Sequence, residues 1–321
     1  MENRQLGASG LRVSRMGLGT MSWGTGTDAE EAASQLVAFV DAGGTLVDTA
    51  DVYGDGESER VLGSLLGDLV PRTDIVLATK AVARSGDGPF SGGASRGALL
   101  TALDGSLRRL GVDHIDLWQL HAWDSAVPIE ETLSAVEFAV TSGKVRYAGV
   151  SNYSGWQLAT AAAMPSGVRL VSTQMEYSLL QRGIEREVLP AAEHHGIGIL
   201  PWAPLGRGVL TGKYRTGTPA DSRGASPTYA GYVEQHRTER AARIVQAVVT
   251  AADGLGTSPL AVALAWVRDR PGVVAPVVGA RDTGQLTGSL IAEEITLPPA
   301  IRSALDDVSS IETGYPERWP H

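Results

Sequence analysis

The sequence predicts an α/β chain closed into a (β/α)8 barrel, a single domain over residues 1–321. Three observations carry that expectation. Eight short apolar runs each lead into a segment with helical spacing, and such alternation implies a parallel sheet. No shift in composition divides the chain into halves, which favours a closed barrel over an open doubly wound sheet. A length of 321 residues with 43% hydrophobic content supplies one large core, and a barrel of this kind typically takes ~250 residues plus insertions.

The elements follow in order. Arg4-Gln5-Leu6 and Leu11-Arg12-Val13 flank the small-residue turn Ala8-Ser9-Gly10, a hairpin placed to plug the barrel bottom. Met16-Gly17-Leu18-Gly19-Thr20 is the first strand. Its Gly17-x-Gly19 lacks the third glycine of a dinucleotide fingerprint. Asp28 caps a helix with Leu36, Val37 and Val40 on one face, stopped by Gly43-Gly44. The second strand ends at Asp48, a helix is expected over 57–69, and the third strand, 75–79, ends at Lys80. Residues 81–94 form a Gly/Ser-rich loop. Ser95 caps a helix with Leu99, Leu103, Leu107 and Leu110 at helical spacing, closed by Gly111.

The fourth strand, 115–120, ends at His121. A helix over 129–141 and a fifth strand over 145–150 bring the chain to Ser151-Asn152, and Ser154 caps the helix to Ala163. The sixth strand, near 170–173, ends at Gln174. A helix over 185–195 stops at Gly196, and the seventh strand, 197–200, ends at Pro201-Trp202. The long loop after it, 203–233, is rich in Gly, Thr, Pro and Ser, and a loop of that length in a compact domain is usually functional. Helices over 237–252 and from Ser258-Pro259 to 269 follow. An eighth strand over 273–278 leads to Gly279-Ala280-Arg281, and a helix over 300–309 closes the pattern.

Composition excludes several classes. The net charge is −9 and no Lys/Arg-rich run appears, so nucleic acid is not an expected partner. An anionic cofactor needs local donors, because the overall field repels it. With no cysteine, disulfides, thiolate chemistry and Cys-based metal sites are excluded. No run reaches the ~18 apolar residues of a membrane span, and the first residues form no apolar leader. A cytoplasmic protein that binds no membrane is expected.

The chemistry converges on three strand ends. Asp48 and Tyr53 follow the second strand, Lys80 ends the third and His121 the fourth. In an α/β barrel that rim is where reactions occur. Singly, each residue is as well explained by packing or surface chemistry; adjacent strands bring the four together. A phenol with an ordinary pKa of about 10 donates protons poorly unless a neighbouring ammonium stabilises the phenolate. Lys80 supplies the ammonium, Asp48 anchors it, and His121 orients a carbonyl oxygen. The set is a general acid with an orienting donor, and it calls for no metal. Protonating that oxygen while reducing the carbon needs a hydride, hence a nicotinamide.

Asp48-Thr49-Ala50-Asp51-Val52-Tyr53-Gly54 resembles the aldo-keto reductase motif D-T-A-x-x-Y-G, and Thr79-Lys80 and Leu120-His121 match that family's next catalytic positions. The resemblance covers nearly the whole chain. It implies Tyr53 as general acid, Lys80 and Asp48 tuning it, and His121 orienting the carbonyl of an aldehyde or ketone. It further implies that Ser151, Asn152 and Gln174 hold a nicotinamide carboxamide beside Gly19, Thr20, Met21 and Asp48, with Trp202 stacked on the ring. Ala203, Pro204, Leu205, Gly206, Arg207 and Gly208, with Lys213 and Arg223, resemble the loop over the pyrophosphate. Gly279, Ala280, Arg281, Gln285 and Ser289 resemble the adenosine end, where Arg281 and a helix N-terminus favour NADPH over NADH. Gly288 and Ser289 stand where many members carry an acidic residue followed by Asn.

Trp23, Tyr53, His121 and Trp123, with Phe90, are read as an aromatic substrate wall. The sequence leaves the oligomeric state open. It also leaves two other readings: an NADPH-binding regulatory module, as in the potassium-channel β subunits that the family resembles, and a barrel hydrolase pairing Asp48 with Asp51.

Overall fold

Capping side chains set where the helices begin. The computed structural model describes residues 1–84, 86–220, 222–227, 230–312 and 314–315, and the backbone alone of Arg223. Asp28 opens α1 (Ala29–Asp41), accepting the Glu31 amide at 2.9 Å. After α2 (Glu57–Leu65), Ser95 opens α3 (Arg96–Leu110), and Gly111 ends it with a left-handed φ of 66°. Beyond α4 (Ile129–Thr141), Gln157 reaches back to accept the Ser154 amide at 2.8 Å at the start of α5 (Gly155–Ala163). The later helices are α6 (Val188–His195), α7 (Ala230–Glu234), α8 (Glu239–Leu255), α9 (Pro259–Arg268), α10 (Thr283–Leu290) and α11 (Pro299–Val308). Thr238, Ser258 and Asp282 cap α8, α9 and α10.

The strands are the hairpin β1 (Asn3–Gln5) and β2 (Arg12–Ser14), then β3 (Gly17–Gly19), β4 (Leu46–Asp48), β5 (Val76–Ala81), β6 (Ile115–Leu120), β7 (Val145–Ser151), β8 (Leu170–Glu176), β9 (Gly198–Trp202) and β10 (Val277–Val278). Among the described residues β3 to β10 form one eight-stranded parallel sheet in the order β10-β3-β4-β5-β6-β7-β8-β9. A bridge between Ile199 and Val273 closes the seam, with the Val274 amide donating to Ile199 O at 2.9 Å. The result is the expected (β/α)8 barrel with helices outside.

Several boundaries differ from the sequence reading, and three have a local cause. The helix after Tyr53 stops at Leu65, because Leu66 is extended and Gly67 takes a φ of 94°. The helix expected over 185–195 starts at Val188, so that Pro190, which lacks an N–H, falls in its first turn. The eighth strand shrinks to Val277–Val278, because Pro276 interrupts the ladder while its carbonyl accepts the Gly17 amide at 2.9 Å.

Two apolar layers hold the barrel. Residues such as Leu36, Phe39, Leu99 and Leu103 pack the helices against the outside of the sheet. Inside the lumen, Leu46, Ala78, Leu117, Val171 and Leu200 meet Leu6 and Val13 of the hairpin. Gly7 lets the hairpin seat: a Cβ there would lie 2.5 Å from Val171 O, and its φ is +56°. The lower lumen is thus filled, and open space is left at the carboxyl ends of the strands.

Candidate active site

Register brings the rim residues together. Asp48 pairs with Gly19 and Ala78, and Lys80 pairs with Gln119. Lys80 Nζ donates to Asp48 Oδ2 at 2.5 Å, to Thr49 O at 2.9 Å and to Tyr53 Oη at 3.4 Å. Asp48 Oδ1 accepts from Gln119 Nε2 at 3.1 Å and from Gln174 Nε2 at 2.9 Å. The Asp48 carboxylate is therefore held on both oxygens, which a buried charge requires. Tyr53 and His121 meet edge to face with ring centroids 6.1 Å apart. These four residues converge as the sequence reading placed them.

Burial sets their protonation. Desolvation pushes Lys80 down, but Asp48 and the Tyr53 oxygen more than offset it, so its pKa lies above the ordinary lysine range and it stays an ammonium. Burial raises Tyr53 by more than Lys80 lowers it, so its pKa lies above the ordinary value. This corrects the expectation of a net lowering by the ammonium. Burial, then the Lys80 charge, push His121 down to about 3, so the ring is neutral. Its Nδ1 is buried with no hydrogen-bond partner among the described residues.

A groove of about 790 Å³ runs from Asp48, Tyr53 and His121 past Ser151, Asn152, Gln174 and Trp202 to Arg281 and Gln285. Gly19, Met21, Ala203, Pro204, Leu205, Arg207, Gly208, Lys213, Gly279 and Ser289 also line it. Its wall holds itself in place. Asn152, at a left-handed φ of 58°, donates to His121 O and accepts from Trp202 Nε1, both at 3.0 Å. Ser151 Oγ donates to Gln174 O at 2.9 Å. Arg207 Nη2 donates to Glu176 Oε2 at 3.0 Å, and its guanidinium lies 4.3 Å from the Tyr232 ring centroid. The Lys213 ammonium lies beside Gly208, where a Cβ would come within 3.3 Å of Nζ.

Several expected residues lie off the groove. Trp23 is fully buried, its Nε1 donating to Gln35 Oε1 at 3.1 Å, so it belongs to the core and not to a substrate wall. Trp123 packs edge to face on Tyr153 and Trp156, away from the groove lining. Thr20 is buried with its hydroxyl 2.7 Å from Ser58 Oγ. Gly206 faces Leu180, and Ala280 is buried. Phe90 is exposed on its loop. The side chain of Arg223 lies outside the described residues.

At the Arg281 end of the groove two first-turn residues of α10 already have acceptors. The Thr283 amide and hydroxyl both donate to Glu31 Oε1, and the Gln285 amide donates to Asp282 Oδ1 at 2.8 Å. Carboxylates thus meet the helix N-terminus that was expected to face a phosphate, and Arg281 lines the groove nearby.

Sequence reasoning missed Gln119, Thr211, Ser222, Tyr232 and Leu260. Only Gln119 carried a signal: a lone amide inside a buried strand demands a polar partner. The others depend on how the long loop and α9 fold over the groove.

The barrel and its rim site define an α/β-barrel oxidoreductase. Residues 15–310 match the model of the aldo/keto reductase family, and the chain belongs to that family. It is 39% identical over 96% of both chains to the uncharacterized oxidoreductase YrpG of Bacillus subtilis (strain 168). It is 34% identical to a probable voltage-gated potassium channel subunit beta of Oryza sativa subsp. japonica, over 99% of this chain and 98% of that one. It is 35% identical to the aldo-keto reductase YhdN of Bacillus subtilis (strain 168), over 89% of this chain and 87% of that one.

Proposed function

We propose that the protein reduces the carbonyl of an aldehyde or ketone with NADPH, Tyr53 acting as general acid. The observation that carries this reading is the buried Asp48–Lys80–Tyr53 chain, 2.5 Å and 3.4 Å between successive polar atoms, opening beside the neutral His121 onto the groove. Bound NADPH supplies the hydride that becomes the carbinol C–H. The neutral His121 ring offers one N–H to the carbonyl oxygen and fixes it near the phenol. The Tyr53 O–H bond breaks as the alcohol O–H bond forms, leaving a phenolate. Lys80 holds that phenolate electrostatically until solvent returns the proton. Asp48 orients Lys80, and Gln119 and Gln174 orient Asp48.

The nucleotide fit rests on the groove's donors and shape. Trp202 presents an indole whose Nε1 is pinned by Asn152. Lys213 and Arg281 supply the positive charge that a chain of net charge −9 otherwise lacks. Titration with NADPH and NADH, followed by tryptophan fluorescence, tests the binding half of the proposal. Quenching that is stronger with NADPH and mostly lost in Trp202→Phe is expected. No response to either nucleotide would sink it.

A second reading is an NADPH-binding module with little turnover, favoured by the 34% identity to a protein named as a probable channel subunit beta. It predicts tight nucleotide binding with no NADPH oxidation across a panel of aldehydes and ketones.

A further inference from the structure

Asp51 stands beside the catalytic set without a part in the mechanism above. It lies in the turn between β4 and α2, and its amide donates to Lys80 O at 3.3 Å. Only 3% of it is exposed, and among the described residues its Oδ1 has no hydrogen-bond partner. Nearby, Glu59 of α2 is fully buried. One of its oxygens accepts the Thr79 hydroxyl at 2.6 Å, and the other accepts Arg109 Nε of α3 at 2.7 Å. Two glycines make room for that arginine: a Cβ at Gly56 would lie 2.5 Å from Arg109 Cδ, and one at Gly105 would lie 2.9 Å from Nη1.

The charges facing Asp51 already balance. Lys80 and Arg109 are cationic, Asp48 and Glu59 are anionic, and Tyr53 is a neutral phenol. An ionised Asp51 adds an uncompensated charge to a dry interior, which is costly. Burial first, and Glu59 next, push its carboxyl up to about 7, against smaller downward pulls from Arg109 and Lys80. The Asp51 charge in turn acts on the Tyr53 phenol, raising its pKa.

We propose that Asp51 is a positioning residue that keeps a proton beside the Lys80–Tyr53 pair, so that its ionisation weakens Tyr53 as a proton donor as the pH passes through neutrality. The proposal rests on Tyr53 being the general acid. With Asp51 neutral, the Lys80 ammonium acts on the phenol unopposed. With Asp51 ionised, the phenol meets an added negative charge and carbonyl reduction slows.

The test has two arms on the full-length protein. Infrared titration of the wild type should show the C=O stretch of a buried protonated acid that disappears near neutral pH. Asp51→Asn should lack that titrating band. Single-turnover oxidation of NADPH by 4-nitrobenzaldehyde should slow severalfold in the wild type from mildly acid to mildly alkaline pH. Asp51→Asn should hold the acid-side rate throughout, with the KM for aldehyde unchanged. Glu59→Gln should move the break to lower pH. A wild type with no titrating band, or an Asp51→Asn profile that keeps the wild-type break, overturns the proposal. Full turnover in Tyr53→Phe would overturn the general-acid reading instead, and the infrared arm would still report on Asp51.

Discussion

Lys80 Nζ lies 2.5 Å from Asp48 Oδ2, and neither residue is more than 2% exposed. An ion pair so deeply buried is weak evidence of net stabilisation, because desolvation opposes the Coulomb gain. Its geometry makes better sense as orientation, since the same ammonium reaches Tyr53. Lys80→Met should leave Asp48 bonded to Gln119 and Gln174 but without a counter-ion. We expect a folded protein destabilised by roughly 3–5 kcal/mol, with turnover down by about 10²–10⁴-fold. Tyr53→Phe should lose turnover on the same scale while keeping nucleotide quenching of tryptophan fluorescence. Steady-state rates beside urea melts separate the two effects. An unchanged rate in Tyr53→Phe would remove Tyr53 from the mechanism.

Asp51 and His121 give stability opposite pH slopes. The folded pKa of Asp51, about 7, lies above its ordinary value of 3.8. Its neutral form therefore contributes stability that is whole below 3.8 and is lost as pH rises through 7. His121 falls from 6.5 to about 3, so the folded state resists protonation and stability declines as pH falls from 6.5 toward 3. Asp51→Asn should accordingly stabilise the protein by roughly 2–4 kcal/mol on the alkaline side of neutrality, and by less in mild acid. Urea midpoints at the two pH values check this. An equal gain at both would show that the charge of Asp51 is not the cause.

The barrel was legible because its signals are local and repeated. Asp28, Ser95, Ser154 and Ser258 each mark a helix start, and the side chains of Asp28, Ser95 and Ser258 accept first-turn amides there. Asp48, Lys80 and His121 were legible as a set because strand ends of a parallel barrel share one rim. What failed were side-chain directions. Trp23 follows β3 at the rim yet is fully buried, its indole donating to Gln35 of α1, a direction that packing and not spacing decides. The charge cluster of Asp51, Glu59 and Arg109 includes an ion pair between residues fifty positions apart, and no sequence spacing announces it. The net rise of the Tyr53 pKa likewise depends on burial, which only the folded rim defines.

Arg109 and Glu59 offer a contrast in magnitude. The Glu59 side chain is 0% exposed, and Arg109 supplies its only cation contact among the described residues. Arg109→Met should strand that carboxylate and cost about 3–5 kcal/mol. Lys144 and Asp104 are equally close at 2.7 Å, but their side chains are 41% and 47% exposed. Lys144→Met should therefore cost no more than about 1 kcal/mol. Comparable losses in urea melts would show that burial does not set the worth of the Arg109–Glu59 pair.

Arg281 lines the groove at the end proposed to take the adenosine of NADPH. At the adenosine end, Glu31 holds the Thr283 amide and hydroxyl, and Asp282 holds the Gln285 amide and side-chain amide. In the proposed NADPH complex a 2′-phosphate arriving there would meet a first turn of α10 partly committed to carboxylates, with the Arg281 guanidinium lining the same groove. A charge-assisted hydrogen bond is worth about 1.5–3 kcal/mol, roughly 10–150-fold in affinity. Arg281→Ala should raise the KM for NADPH by at least about tenfold and leave that for NADH nearly unchanged. Glu31→Gln, which removes a negative charge from the same corner, should lower the NADPH value severalfold and spare NADH. If Arg281→Ala weakened both nucleotides equally, Arg281 would be supporting the groove wall and the 2′-phosphate would have to be read elsewhere.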